Sequence, residues 1–520
     1  MDEKMQLLSS QLVGQGLEYA FGVTGSGSSW ALITALEQRG VKYYPVAHEA
    51  AAAIMAGAVS RLTGKTSVSI SIKGPGVTNM LPGVAHNYFE NNPALSISEC
   101  FGSNVPLYRM HKRLDQVALL TPLVKGIIAL DEIEESLPTL IDHAWSEVPG
   151  PIHLDLCSRG SLDGVWKSFR LAGGSAANKA DHEAIVEKVR RSERPVLLVG
   201  SFSLRRNWRK QLTSLNIPVF TTAAAKGALD ERLLHSAGVF TGDGKELAME
   251  THLIGVADLV VGIGLRNAEV LSPKPFGKYT ILLDGVDRNL SDGFQANELL
   301  LDASEDDIVS VLEELQGKHW GLEIVEAQRN VMRKALLDGS WLPAACFDIL
   351  NKLDFPYISV QDTGAFCTVG EHLWEAGLDR IYMGGGNGRY MGVAIPTAIG
   401  ASTCRHGTPV FCVTGDGGMR DYPSEIRLAV QERLPVCFIL MTDGLFGSIA
   451  CTSETLSRRA VTIFGSSWLK TVEGMGCLAV AANSIEAFAQ IIQSWNRQEP
   501  LYIEASFDPQ SYALMTRRLR

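Results

Sequence analysis

Two aspartates, each at the end of an apolar run and each beside a glycine, are well suited to hold a divalent cation. Asp416 lies in Gly415-Asp416-Gly417 after residues 409–414 (PVFCVT), and Asp443 lies in Thr442-Asp443-Gly444 after residues 435–440 (PVCFIL). Carboxylate oxygens are hard ligands that suit magnesium, an ion usually shared with substrate or cofactor phosphates. Both apolar runs read as buried strands. Residues 424–434 between them have helical spacing, with Ile426, Leu428, Val430 and Leu434 apolar among charged neighbours. Such a strand–helix–strand unit predicts a right-handed parallel crossover. That crossover brings both aspartates to one edge of a sheet, where open α/β folds bind ligands. Taken singly, each Asp-Gly is an ordinary turn after a strand.

A third carboxylate stands upstream. Glu49 follows His48 and precedes Ala50-Ala51-Ala52-Ala53-Ile54-Met55-Ala56-Gly57, a helix of small and apolar residues that predicts burial on all sides. On its own, an acid in a first helical turn only complements the helix dipole. Four further segments occur in a definite order: residues 21–27 (FGVTGSG), 73–76 (KGPG), 91–93 (NNP), and 115–117 (DQV) before 122–125 (PLVK). With Glu49 and the Gly415–Asp443 unit, they resemble the thiamine diphosphate (ThDP) enzymes of the pyruvate oxidase and decarboxylase branch. Acetolactate synthases, benzaldehyde lyase and benzoylformate decarboxylase belong to that branch. The resemblance runs from about residue 5 to about residue 510. One departure is plain: the family ends the aspartate motif with two asparagines, and here the pair is Thr442-Asp443.

The resemblance implies roles residue by residue. Glu49 would hydrogen-bond N1′ of the cofactor pyrimidine and favour the tautomer that removes the thiazolium C2 proton. Met391, in Gly388-Arg389-Tyr390-Met391-Gly392, would wedge between the two cofactor rings; the alternative is a methionine filling a core gap. Gly415, Asp416, Gly417, Gly418, Asp443, Gly444, Leu445 and Phe446 would complete the cofactor site. Magnesium would be held by Asp416, Asp443 and the Leu445 carbonyl. Ser26, Lys73 and His111 are candidate catalytic groups over the thiazolium, each alternatively a solvated loop residue, with His86 and His48 weaker candidates. His111 stands where synthases carry glutamine, and a histidine can move a proton near neutral pH.

With 520 residues the chain suits about three domains. The expected fold class is α/β, with three doubly wound parallel-sheet domains. Residues 1–165 would bind the pyrimidine, 180–320 form the central domain, and 340–520 bind the diphosphate and magnesium. Residues 160–180 and 316–342 read as linkers. The central domain of such enzymes sometimes holds FAD or a nucleotide. Here FAD is possible but not favoured, and Arg266 after Gly264-Leu265 reads as a surface arginine. Gly64-Lys65-Thr66 lacks the upstream glycine of a phosphate-binding loop, and Gly25-Ser26-Gly27 lacks the third glycine of a dinucleotide fingerprint.

Composition narrows the partners. Apolar residues make up 46% and charged residues 20%, which excludes disorder, and the net charge of −10 without a basic cluster argues against nucleic acid or a membrane surface. The nine cysteines show no metal spacing and read as reduced core thiols of a cytoplasmic protein. The expected reaction makes or breaks a carbon–carbon bond beside the carbonyl of a 2-oxo acid. A decarboxylase or lyase/carboligase is preferred, and an acetolactate-synthase-like transferase is the alternative. A catalytically silent binding module of the same fold is a further reading, against which Glu49 argues. The active sites would lie between subunits of a homodimer or homotetramer.

Overall fold

The computed structural model describes residues 2–102, 105–157, 165–166, 180–450, 458–463 and 467–520. Strands and helices alternate through three successive sheets, as the buried apolar runs and Gly-containing turns predict. The first sheet contains β1 (Tyr19–Gly22), β2 (Lys42–Pro45), β3 (Val68–Ser71), β4 (Leu95–Ser98), β5 (Gly126–Ala129), β6 (Ile152–Asp155) and β7 (Val165–Trp166). Its order is β2-β1-β3-β4-β6-β5-β7, parallel except for the short β7 at the edge. The second contains β8 (Pro195–Val199), β9 (Val219–Thr221), β10 (Ser236–Val239), β11 (Leu259–Ile263), β12 (Tyr279–Asp284) and β13 (Glu298–Leu301), in the order β10-β9-β8-β11-β12-β13. The third contains β14 (Tyr357–Gln361), β15 (Arg380–Gly384), β16 (Val410–Gly415), β17 (Val436–Thr442), β18 (Leu478–Ala482) and β19 (Leu501–Ser506). It runs β15-β14-β16-β17-β19-β18, the same permutation as the first six strands of the first sheet. The shared layout of the first and last thirds therefore extends to topology.

The helix Glu49–Thr63 is the hinge of the packing. Every residue from Glu49 to Ser60 is buried, so its run of alanines packs on all sides. It lies against the helix Pro75–Phe89 and against Ala394–Cys404 of the C-terminal domain. Small residues permit this approach: a Cβ at Gly400 would come within 2.8 Å of the Met55 carbonyl oxygen. Met55 and Ile399 accordingly share one hydrophobic core across two domains.

Three expectations need correction. Residues 316–342 are not a bare linker, because Leu322–Leu336 forms a helix that buries Val325, Gln328, Met332 and Leu336. That spacing gives one buried stripe among polar neighbours, and the overall polarity of the segment hides it. Cys100 and Cys157 are joined in a disulfide, with Cα atoms 5.4 Å apart. The pairing Ser98↔Asp155 between adjacent β4 and β6 sets these cysteines opposite each other two residues further on. With a sequence separation of 57, the closed loop contributes about 4 kcal/mol in the chain-entropy description. Cys346, Cys367, Cys404, Cys412, Cys437 and Cys477 are free thiols. Arg266, the third correction, is buried rather than on the surface. Of the expected linker at 160–180, residues 160–164 and 167–179 lie outside the described residues, as does Cys451.

Candidate active site

Strands β16 and β17 pair in parallel register from Val410↔Val436 to Gly415↔Met441, so the turns that follow them meet at one sheet edge. Asp416 organises that edge. Its Oδ1 accepts the Thr442 hydroxyl at 2.6 Å, and its Oδ2 accepts the N–H groups of Asp443 and Gly444 at 3.0 and 3.1 Å. Asp443 turns back to accept the Leu445 N–H at 3.0 Å. Burial raises the pKa of both carboxyls; for Asp443, the neighbouring Asp416 adds to the effect and the value is pushed up to about 6. Two carboxylates desolvated side by side disfavour their own charge, which a divalent cation between them would relieve. The Thr442 hydroxyl donates to Asp416, as an asparagine amide could, so the departure at this pair keeps a donor in place.

These aspartates line a cavity of about 220 Å³ together with Gly415, Gly417, Gly418, Met391, Leu445 and Phe446. Met391 is 41% exposed and is therefore not a methionine filling a core gap. Gly418 is sterically required, since a Cβ there would strike the Asp362 carboxylate and the Thr414 hydroxyl, and a Cβ at Gly417 would push the Met391 sulfur aside. Gly444 has φ of +73°, a left-handed turn that frees the next residues to fold over the site. Among the described residues, no group of three His, Cys, Asp or Glu converges to hold a metal. Asp416 and Asp443 offer hard carboxylate oxygens at the cavity, the donor type that suits magnesium.

Asp362 is a site residue missed in the sequence. Buried just past β14, it accepts both Gly392 N–H contacts at 3.0 and 2.9 Å and the Thr414 hydroxyl at 2.9 Å. It thereby ties the segment carrying Met391 to the aspartate turn. Burial pushes its carboxyl up to about 7. Residues 357–364 show the same pattern of apolar strand, Asp and Gly that marks Asp416, so the signal was present.

The N-terminal candidates gather at the matching edge of the first sheet. Glu49 is 8% exposed and accepts from the Asn79 amide at 3.1 Å. His48 caps the same helix, its Nδ1 accepting the Ala50 N–H at 3.1 Å. Asn79 lies in the helix Pro75–Phe89, which begins directly after Lys73-Gly74. Lys73 forms a 2.8 Å ion pair with Glu99, which also accepts the Ser29 N–H and hydroxyl at 3.1 and 2.7 Å. Glu99 is the second residue missed. Burial raises its pKa, but Lys73 and the Ser29 donors outweigh that and leave it below the usual carboxylate range. Ser26 is exposed on the loop held by Ser29. His111 is exposed in a turn whose next residue, Lys112, packs its carbonyl against Gly74. Ser26, Lys73 and His111 thus share one edge, and none of them lines the cavity around Asp416. His86 is buried beside Tyr390, and burial lowers its pKa to about 4.

Three family models match successive parts of the chain. The N-terminal, central and C-terminal domains of thiamine pyrophosphate enzymes match residues 3–119, 182–299 and 362–505. The chain belongs to the thiamine-diphosphate-dependent enzymes of the pyruvate oxidase and decarboxylase branch. It is similar to acetolactate synthase of Bacillus subtilis (strain 168), 25% identical over 97% of this chain and 93% of the relative. A catabolic acetolactate synthase of Raoultella terrigena is 23% identical over 94% and 92%. A probable 2-ketoarginine decarboxylase of Pseudomonas aeruginosa is 24% identical over 85% and 82%.

The residues around Asp416 fit thiamine diphosphate: a glycine cradle open to backbone approach, an oxygen donor pair and an exposed apolar wedge. In the central domain of this ThDP enzyme, the crevice where such sheets bind dinucleotides is filled. The strand order reverses between β8 and β11, which places that crevice. There a Cβ at Gly200 would collide with the Gly264 carbonyl, so the two loops touch. Glu269 fills the crevice, accepting from Ser201 N, Ser201 Oγ and Thr222 Oγ1 at 2.7, 2.6 and 2.7 Å. Arg266 spans the rest, bonding Asp284 at 2.9 and 2.7 Å and Glu147 at 2.8 Å. Burial opposes the charge on Glu147, yet Arg205 and Arg266 hold its carboxyl at about 2. The crevice is occupied by a network that joins the first domain to the second.

Proposed function

We propose that this ThDP enzyme catalyses magnesium-dependent cleavage or formation of a carbon–carbon bond next to the carbonyl of a 2-oxo acid. The carrying observation is the Asp416–Asp443 pair in a glycine-lined cavity with an exposed Met391, in a chain that also buries Glu49 at a helix start. When bound, the cofactor supplies an electron sink beside the carbonyl carbon. Asp416, Asp443 and the Leu445 carbonyl would hold the cation and, with the glycine turn, the phosphate end of the cofactor. Met391 would pack against the cofactor rings. Glu49, fixed by Asn79, would offer its carboxylate to the pyrimidine. Lys73, Ser26 and His111 would orient the substrate and move its protons. Decarboxylation or carboligation is the first reading, and acetolactate-type transfer the second, favoured by the similarity to acetolactate synthases. A panel of 2-oxo acids, with carbon dioxide, aldehyde and acetohydroxy acid measured together, distinguishes them. No turnover of any 2-oxo acid by cofactor-loaded protein refutes both.

We further propose a homodimer or a dimer of dimers. Among the described residues, none from the N-terminal domain lines the cavity around Asp416. Beside each half-site stands a large exposed apolar side chain: Trp30 near Ser26, Tyr108 near His111, and Met391 and Ile449 at the cavity. Exposed apolar groups of this kind mark contact surfaces. Light scattering at assay concentration should report a dimer or larger. A fully active monomer would sink the proposal.

His111 bears on the choice of reaction. If it delivers the proton that completes the aldehyde, His111→Ala should slow aldehyde release by at least about 10²-fold, the lower end of general acid catalysis, with ThDP affinity unchanged. His111→Gln should shift product toward carboligation when an acceptor carbonyl is present. Unchanged aldehyde release in both variants removes His111 from the chemistry.

A further inference from the structure

A second cavity, about 330 Å³, lies where the three domains meet and takes no part in the chemistry above. It falls within the size range of small-molecule sites. Among the described residues, four cationic side chains line it, Arg61 from the last turn of Glu49–Thr63 and Arg205, Arg209 and Lys226 from the segments that follow β8 and β9, against one carboxylate, Glu90. Two of the four are committed. Arg205 pairs with Glu147, and Lys226 pairs with Glu231 and donates to the Glu371 carbonyl. The other two are not. Arg209 donates one nitrogen to the Gly227 carbonyl at 3.0 Å, while its buried Nη1 has no partner among the described residues. Arg61 makes no hydrogen bond or ion pair among the described residues; burial lowers its pKa, and Glu90 is its main opposing charge.

Glu90 is not free to neutralise Arg61 fully. Its carboxylate already accepts the N–H groups of Gly386, Asn387 and Gly388 at 3.1, 3.3 and 2.7 Å. The side chains of Arg61 and Arg209, from two different domains, line one partly open cleft, and neither guanidinium has all its donors engaged among the described residues. Guanidinium forks bind carboxylates and phosphates in bidentate fashion. Trp145 and Tyr382 add aromatic wall for an organic body.

We propose that this cavity binds a small organic oxyanion, a carboxylate or a phosphate, through Arg61 and Arg209. The site adjoins the crevice over β8 and β11 that Glu269 and Arg266 fill, with Ser201 and Arg205 on its wall. Because Arg61 and Arg209 belong to different domains, an occupant stabilises the junction by mass action and raises the melting temperature.

The test is calorimetric titration of inorganic phosphate and, separately, succinate into protein saturated with thiamine diphosphate and magnesium, so that the diphosphate site is blocked. The Arg61→Met comparison is repeated without cofactor, which keeps the result independent of the proposed catalytic function. At least one anion should bind the wild type and raise its melting temperature. Arg61→Met and Arg209→Met should each weaken that binding by at least about tenfold, the effect of losing a charge-assisted hydrogen bond. Arg61→Lys should retain part of it. Binding of phosphate alone assigns the phosphate class, and binding of succinate alone the carboxylate class. In anion-free buffer Arg61→Met should melt no lower than wild type, since it removes a desolvated charge that makes no hydrogen bond or ion pair among the described residues, while Glu90 keeps its three backbone donors. Failure of both anions to bind, equal affinity in Arg61→Met, or a large loss of stability in anion-free Arg61→Met overturns the proposal.

Discussion

Replacing Glu49 with Gln should slow exchange of the C2 proton of bound thiamine diphosphate by at least about 10²-fold while leaving the protein folded. Glutamine keeps the shape of the side chain and can still accept from the Asn79 amide, so the buried start of the helix stays satisfied. It cannot supply the negative charge that favours the reactive tautomer of the pyrimidine. The local dielectric enlarges that difference, because Glu49 is 8% exposed and its charge is poorly screened by water. Deuterium exchange followed by NMR on the bound cofactor reads this step without any assumption about the substrate. Exchange at the wild-type rate in Glu49→Gln would show that the residue only begins a helix.

Replacing Asp416 with Ala should abolish measurable magnesium-dependent cofactor binding. The carboxylate is a proposed ligand and also the acceptor for Thr442, Asp443 and Gly444. Its loss strands three donors, each costing about 1–3 kcal/mol where buried, and lets the turn that carries Asp443 drift. The expected loss of affinity exceeds the roughly 10–100-fold that follows removal of an outer partner of a metal site. Asp443→Asn should be tolerated, because an amide oxygen reaches as far and can still accept the Leu445 N–H. Asp443→Ala should not be. Fluorescence titration of ThDP with magnesium present, and again with a chelator, measures all three variants. Equal affinity in Asp443→Ala and wild type would show a turn residue and no ligand.

Much of the aspartate site is legible in the sequence because its signals are local. Strand, tight glycine turn, helix and strand follow one another along the chain, and right-handed crossover places Asp416 and Asp443 together without knowledge of the rest. The buried helix at Glu49 is equally legible, since a run of alanines with Ile54 and Met55 has no polar face to expose. Asp362 carries the same strand–Asp–Gly signal but stands in the chain without a partner to draw attention to it.

What stays hidden depends on contacts between segments far apart in sequence. Arg266 after a strand looks like a surface residue until Asp284 and Glu147 come to meet it, one from the neighbouring strand and one from another domain. Cys100 and Cys157 become neighbours only because β4 pairs with β6 rather than β5. Lys73 gains Glu99, and the start of the Glu49 helix gains Glu425, whose carboxylate accepts the Ala47 and His48 N–H groups. Sequence by itself determined the alternation of strands and helices, the carboxylates at strand ends and the glycines beside them, because periodicity and turn chemistry act over a few residues. Tertiary structure alone decided which charges are buried in pairs, which crevice is filled and which arginines face an open cavity. Those outcomes depend on desolvation and on opposite charges brought close by the fold, and neither is a property of a residue in its local sequence.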